Sequence, residues 1–171
     1  MKGYIQVYTG NGKGKTTAAF GLALRSAGAG LKIFIAQFVK GRPYSEITAV
    51  RQYIPGITIR QYGRGCFIIK TPDDEDILAA RKGLEEVAKV IASGKYDLVV
   101  LDEATIAIYY NLFTVHELNR ILDQKPDALE IVITGRYAPK ELIDRADLVT
   151  EMQEVKHYYT YGVEAREGIE Y

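Results

Sequence analysis

The sequence predicts an α/β domain, doubly wound on a mainly parallel sheet, with residues 1–171 forming a single unit. Three observations predict it. Short β-branched and aromatic runs alternate with longer segments whose apolar residues recur at helical spacing. Several of those runs are apolar almost throughout, as strands covered on both faces must be. A chain of 171 residues, 47% hydrophobic and 26% charged, suffices for one sizeable core and leaves little for a second full domain. No internal repeat, low-complexity tract or linker divides it.

In chain order, the first strand-like run is Tyr4 to Tyr8. A helical pattern follows from Lys15 to Ala29, in which Ala19, Leu22, Ala23 and Ala27 share a face and Gly30 offers a C-terminal cap. Ile33 to Phe38 and Ile57 to Tyr62 read as the next two strands. The best-defined helix runs from Pro72 to Ser93: Thr71 can cap it, Pro72 suits its first turn, Asp73, Asp74 and Glu75 favour its positive end, and Gly94 follows it. Leu98 to Leu101 is a strand with a short helical stretch, Ala104 to Asn111, behind it. Thr114 and Glu117 form a capping-box pattern for a helix reaching about Asp123, Ile131 to Ile133 is the fifth strand, and Pro139 opens a shorter helix towards Ala146. Ligands of such sheets bind beyond the carboxyl ends of the strands. Chemistry is therefore expected just after Tyr8, Phe38, Tyr62, Leu101 and Ile133.

Charge and cysteine content exclude several classes of function. With 22 Lys+Arg against 22 Asp+Glu, the chain has no global basic field to concentrate nucleic acid, so none is expected as a partner. The single cysteine, Cys66, excludes an intramolecular disulfide, and neither a CxxC pair nor an HExxH helix is present to hold zinc. The composition suits a reducing cytoplasm. Met1-Lys2-Gly3-Tyr4-Ile5 leaves no room for a signal peptide, and no apolar run is long enough to cross a bilayer, so no membrane association is expected.

The strongest motif is Thr9-Gly10-Asn11-Gly12-Lys13-Gly14-Lys15-Thr16-Thr17, placed between the first strand and the first helix. That is the setting a phosphate-binding loop requires. Its glycines allow successive N–H groups to turn inward towards phosphate oxygens, Lys15 supplies a mobile positive charge, and Thr16 stands where a hydroxyl can ligate magnesium. The usual pattern has glycine at the position of Thr9, so the loop is a variant and its phosphate chain need not lie as in ordinary ATPases. A glycine-rich turn that binds nothing is the bland alternative. Against it stands Asp97 to Glu103, an apolar strand ending in adjacent carboxylates, Asp102 and Glu103, which can hold magnesium directly or through water. Those carboxylates can equally serve as a charge pair at a helix start.

Ile133-Thr134-Gly135-Arg136 brings Arg136 to the same rim, where it can meet phosphate or carboxylate, or form only a surface ion pair. Tyr62-Gly63-Arg64-Gly65-Cys66-Phe67-Ile68-Ile69 is a flexible glycine segment running into an apolar cluster. Packing beneath the Pro72 helix is its expected use, and covering an apolar ligand is the alternative. Cys66 is read as an inert small hydrophobe, and His116 and His157 as surface or satisfied histidines. Tyr158, Tyr159, Tyr161 and Tyr171 are expected to pack in the core, with pocket lining or a dimer contact as alternatives.

Taken together, Tyr8 to Gly21, Gln37-Phe38-Val39-Lys40-Gly41, the Asp97 to Glu103 strand, Ile133 to Arg136, Ala146 to Met152, Val155-Lys156-His157 and Gly168-Ile169-Glu170-Tyr171 resemble the P-loop corrinoid adenosyltransferases, in the family's order and over nearly the whole chain. The resemblance implies a P-loop NTPase-like fold and transfer of the 5′-deoxyadenosyl group of ATP to the cobalt of a reduced, cob(I)alamin-type corrinoid, releasing triphosphate in adenosylcobalamin biosynthesis or salvage. It further implies ATP as co-substrate with magnesium, an electron-donating reductase as partner and a homodimer. Carried over by position, Gly10, Asn11, Gly12, Lys13, Gly14, Lys15, Thr16 and Thr17 hold the triphosphate and Arg25 contacts the nucleotide. Thr16 and Glu103, beside Asp102, hold the metal. Lys15 and Glu103 are the expected catalytic pair, and Gly65, Phe67 and Arg136 are the corrinoid-side candidates. Two departures stand out. Several relatives carry an extra N-terminal segment that helps to close the site. A common family loop reads GxGFTW, where this chain has Gly63-Arg64-Gly65-Cys66-Phe67-Ile68 and no tryptophan at all, which leaves Phe67 as the aromatic substitute. No DxHxxG signature is present. Two rival readings are a small P-loop kinase or ATPase, in which Glu103 polarises the attacking group, and a non-catalytic ATP-binding regulator.

Overall fold

The computed structural model describes residues 2–42, 44–65 and 71–171; Cys66, Phe67, Ile68 and Ile69 lie outside the described residues. In order, the elements are β1 (Ile5–Thr9), α1 (Lys15–Gly28), β2 (Ile33–Phe38), α2 (Ser45–Tyr53), β3 (Ile57–Tyr62), α3 (Asp74–Ala92), β4 (Leu98–Asp102), α4 (Ala104–Tyr109), α5 (Val115–Leu122), β5 (Glu130–Thr134), α6 (Lys140–Arg145) and β6 (Leu148–Glu151), with a 3-10 turn at Tyr158–Tyr161. The strands form one sheet in the order β3-β2-β4-β5-β1-β6, and every neighbouring pair is parallel.

Connections leaving β1 and β2 run towards one edge of this sheet, and those leaving β3, β4 and β5 run towards the other. Right-handed crossovers therefore place their helices on opposite faces. The packing follows: Ala19 and Ala23 of α1 and Ile47 and Val50 of α2 meet Ile33, Ile35, Val100 and Val132 on one side. On the other, Ala80, Val87 and Ile91 of α3, with Leu118 of α5 and Leu142 of α6, cover Phe34, Val99, Leu101 and Ile133. Alternate residues of β4 thus feed two separate cores, which is why the strand reads as continuous apolar sequence. Phe38 meets the Phe113 ring edge-on, with centroids 5.2 Å apart. Neighbouring strands whose connections depart in opposite directions, β2 beside β4 and β5 beside β1, open a crevice at their carboxyl ends.

Several local expectations are corrected. The third helix starts at Asp74 and is capped by Asp73, not Thr71: the Asp73 carboxylate accepts from Asp76 N at 2.9 Å while Asp76 accepts from Asp73 N at 3.2 Å. A reciprocal acidic pair satisfies two end amides that a threonine two residues earlier cannot reach. The Thr114–Glu117 box caps α5 as expected. Helix α1 stops at Gly28, with Gly30 at φ +80° just beyond it. Helix α2 and strand β6 were not legible in the sequence. The C-terminal tyrosines are not core residues: Tyr159 and Tyr161 are each 73% exposed.

Beyond β2 and β3 the chain crosses itself at glycines. Gly41 N donates to Gly65 O at 2.6 Å. A Cβ on Gly41 would lie 2.5 Å from Gly63 O, and one on Gly63 would lie 2.5 Å from Lys40 N.

Candidate active site

The Gly10–Thr17 segment wraps over the start of α1. Gly10 (φ +97°) and Gly14 (φ +118°) occupy backbone conformations that side chains resist, and this folds the loop back on itself. Lys15 is buried beneath the fold, donating to the carbonyls of Gly10 and Gly12 at 2.7 Å each. Burial, reinforced by the Arg136 charge, pulls its ammonium below the ordinary lysine range, although Glu103 and Asp102 oppose the shift. One expectation is corrected in part: the Gly12 amide does not face inward for a ligand but donates to Met152 O at 2.7 Å, so the segment after β6 props the loop from behind.

Asp102, at the end of β4, is fully buried and is held from four directions. Thr16 Oγ1 (2.9 Å) and Thr134 Oγ1 (2.7 Å) donate to one carboxylate oxygen; Gln37 Nε2 (3.0 Å) and Lys40 Nζ (3.1 Å) donate to the other. Four donors make burial of this charge tolerable. Glu103 follows with φ +58°, a left-handed turn that swings its side chain towards the loop while its amide donates to Thr134 Oγ1 at 3.1 Å. Burial, and next the Asp102 charge, raise the Glu103 carboxyl above the ordinary glutamate value, against the pull of Lys40, Lys15 and Arg136. Burial lowers the Lys40 ammonium in the same way, but the Asp102 and Glu103 charges outweigh it and hold the group above the usual lysine value.

Lys15, Thr16, Glu103 and Arg136 line a cavity of about 830 Å³ that also takes in Phe20, Leu24, Ala49 and Ile54 between α1 and α2. Its polar end is the glycine loop and its far end is apolar, a division suited to a phosphate chain bearing an organic ring system. The C-terminal residues Gly168 to Tyr171 close one side. There Lys13 Nζ bonds Glu170 (2.6 Å), Tyr158 OH (3.0 Å) and Ile169 O (3.0 Å), Tyr158 OH donates to Glu170, and Ser45 Oγ donates to Tyr171 O at 3.1 Å. The tail therefore ties the glycine loop to the start of α2.

The profile of the family described as ATP:corrinoid adenosyltransferase BtuR/CobO/CobP matches residues 1–171. The chain belongs to this family. It is 35% identical over 171 residues to the corrinoid adenosyltransferase of Escherichia coli (strain K12), covering 99% of this chain and 86% of that relative. It is 37% identical over 172 residues to the corrinoid adenosyltransferase CobA of Salmonella typhimurium (strain LT2), again covering 99% and 86%. A corrinoid adenosyltransferase of Sinorhizobium sp. is 37% identical over 180 residues, covering 99% of this chain and 81% of the relative.

Of the residues singled out in this adenosyltransferase sequence, the structure brings together Gly12 to Thr17, Glu103 and Arg136 around the cavity, with Asp102 directly behind Thr16. Arg136 donates to Asn11 O at 3.3 Å. Arg25 is not brought to this group: it is exposed in the last turn of α1, ten residues or about 15 Å along the helix from Lys15, and is absent from the cavity wall. Gly65 is exposed at the glycine crossing and does not line the cavity, and Phe67 lies outside the described residues. His116 is exposed, whereas His157 accepts from Tyr159 N at 3.0 Å and lines the cavity. Sequence reasoning missed the roles of Gln37, Lys40 and Thr134. For Gln37 and Thr134 the available signal was a polar residue within, or ending, an otherwise buried apolar strand; Lys40, two residues beyond β2, carries no such signal. Among the described residues no helix is long and apolar enough to cross a membrane, and no cluster of three or more His, Cys, Asp or Glu side chains forms a ready-made metal site.

Proposed function

We propose that residues 1–171 act as a single domain that transfers the 5′-deoxyadenosyl group of ATP to the cobalt(I) of a reduced cob(I)alamin-type corrinoid, releasing triphosphate. The supporting observation is the pairing of the buried Lys15 beneath the glycine loop with the Asp102–Glu103 turn across the same cavity, in a chain of this family. The cobalt(I) lone pair attacks carbon 5′, the cobalt–carbon bond forms, and the carbon–oxygen electrons leave with the triphosphate. No protein nucleophile or strong base is required. The site must orient carbon 5′ and stabilise the charge that departs.

Lys15 serves the second task. Its ammonium presently satisfies two loop carbonyls, and a triphosphate seated in the loop offers it stronger anionic partners. The amides of Gly14 to Thr17, opening α1, add donors and the positive helix end. Lys13 and Arg136 stand at the loop's edge as further cations. Thr16, Asp102 and Glu103 supply only hard oxygen atoms, a donor set suited to magnesium, with Thr16 Oγ1 already 2.9 Å from Asp102. Bound there, magnesium would neutralise part of the leaving charge. Phe20, Leu24 and Ile54 offer apolar surface for the rest of the nucleotide, while the corrinoid side is assigned, on the family resemblance of the sequence, to Gly65, Phe67 and Arg136. The reading carries with it an electron-donating reductase, a homodimer and a cytoplasmic location.

The test is anaerobic mixing of the protein with ATP, magnesium and a chemically reduced corrinoid, following the visible spectrum and released triphosphate. A light-sensitive adenosyl-corrinoid formed in step with triphosphate is expected. Release of ADP or phosphate would instead indicate a kinase or ATPase, and ATP binding without turnover a regulator.

A further inference from the structure

Lys40 is a charged side chain on which the proposed reaction makes no demand, yet it is only 7% exposed and sits at the centre of the site. Val39, at φ +58°, turns the chain at the end of β2 and delivers it there. Its ammonium lies 3.1 Å from Thr16 Oγ1, 3.1 Å from Asp102 Oδ2 and 3.8 Å from Glu103 Oε1. Those three groups are the ones proposed for the divalent cation. A magnesium ion bonded to Thr16 and Glu103 at its usual distance of about 2.1 Å would share its ligands with this ammonium at close range. Two cations so placed in a buried site repel strongly, so the arrangements exclude one another. The ammonium also lies 5.6 Å from the Tyr44 ring centroid, which adds to its hold on the position.

We propose that Lys40 gates the cation site: its ammonium holds the divalent position while no nucleotide is bound. The metal enters only with a triphosphate, whose oxygens give that ammonium a new partner. A lysine suits the task because its four-carbon stem lets the charge swing without disturbing β2, where a guanidinium fork would need a fixed planar partner. The gate keeps the fully buried Asp102 compensated in both states, first by the ammonium and then by the metal. It rests on the proposed cation site at Thr16, Asp102 and Glu103 and makes no use of the corrinoid.

The experiment measures Mn2+ binding to nucleotide-free protein by the electron paramagnetic resonance signal of free Mn2+, with circular dichroism to check folding. Wild type is expected to bind weakly, and Lys40→Met to bind at least tenfold more tightly. Lys40→Gln, which retains a donor for Asp102, is expected to behave alike and carries the test if the methionine variant fails to fold. Adding Glu103→Gln to either variant is expected to remove the gain. Equal affinity in wild type and the Lys40 variants would overturn the gate alone, and a gain that survives Glu103→Gln would overturn the gate and the cation site together. Tight nucleotide-free binding by wild type, lost in Glu103→Gln, would by itself show the position open and end the proposal.

Discussion

Replacing Thr134 by valine removes one hydroxyl from the floor of the site and almost nothing else. That hydroxyl donates to Asp102 at 2.7 Å and accepts from Glu103 N at 3.1 Å, in a residue with no solvent exposure. Valine keeps the shape but leaves the Glu103 amide without its acceptor, at about 1–3 kcal/mol, and removes one bond to a charged group, at about 1.5–3 kcal/mol. Asp102 retains donors from Thr16, Gln37 and Lys40, so the second loss falls at the low end. The expected destabilisation is about 3 kcal/mol, or roughly 6–12 °C in Tm for a domain of this size. Urea denaturation of wild type, Thr134→Val and Thr134→Ser measures it. The serine variant keeps the hydroxyl and loses only a methyl group, so about 1 kcal/mol is expected there. Glu103 is aimed by the same bond, so ATP affinity in the presence of magnesium should weaken in the valine variant and not in the serine one. A valine variant within 1 kcal/mol of wild type, or no separation between the two variants, would refute the claim that this hydroxyl fixes the turn.

Lys15→Ala should slow adenosyl transfer by about 10²–10³-fold through lost stabilisation of the leaving triphosphate, measured under saturating ATP; a fall of less than tenfold would remove Lys15 from that role. Glu103 has its folded-state pKa raised above the unfolded value by burial, so the folded state binds the extra proton and stability falls as pH climbs from the ordinary glutamate value near 4.5 into the raised range. Glu103→Gln should abolish that part of the slope in denaturation measured across the window, and should raise the magnesium needed for turnover. A variant with an unchanged slope and magnesium titration would contradict both.

Much of the fold was legible because both faces of the sheet are buried. Ile33 to Ala36 and Leu98 to Leu101 send apolar side chains into both cores, and that leaves a run no exposed element shows. Strand β6 carries no such signal: all four of its residues are exposed at the sheet edge, where hydrogen bonding to β1 rather than burial makes it a strand. Helix α2 has nine residues and buries only Ile47 and Val50, too few apolar positions to reveal a period. The glycine loop and the Asp102–Glu103 pair were visible in the site because their spacing is set locally by one strand end each. Lys40 and Thr134 were not, because their importance arises from β2 and β5 both lying beside β4, an order that no local stretch of sequence records. The tyrosine-rich tail was misjudged for a related reason: Tyr158 is held by polar bonds to Lys13 and Glu170, not by apolar packing.

The backbone crossing of Gly41 over Gly63 and Gly65 has a kinetic meaning. At Gly41 and Gly63 the two backbones approach too closely to admit a Cβ, so a shift of the chain at Gly63 should press directly on the peptide of Lys40. The Gly63–Gly65 segment leads into the stretch assigned to the corrinoid, and the Gly41 segment carries Lys40, the charge proposed to answer to the triphosphate. The two substrates should therefore sense one another while their reacting atoms are still apart, giving synergy in binding and a preferred order of addition. ATP affinity measured with and without a cobalt(II) corrinoid, which cannot attack carbon 5′, should differ severalfold in wild type. Identical affinities would mean that the crossing joins the two loops without coupling their ligands.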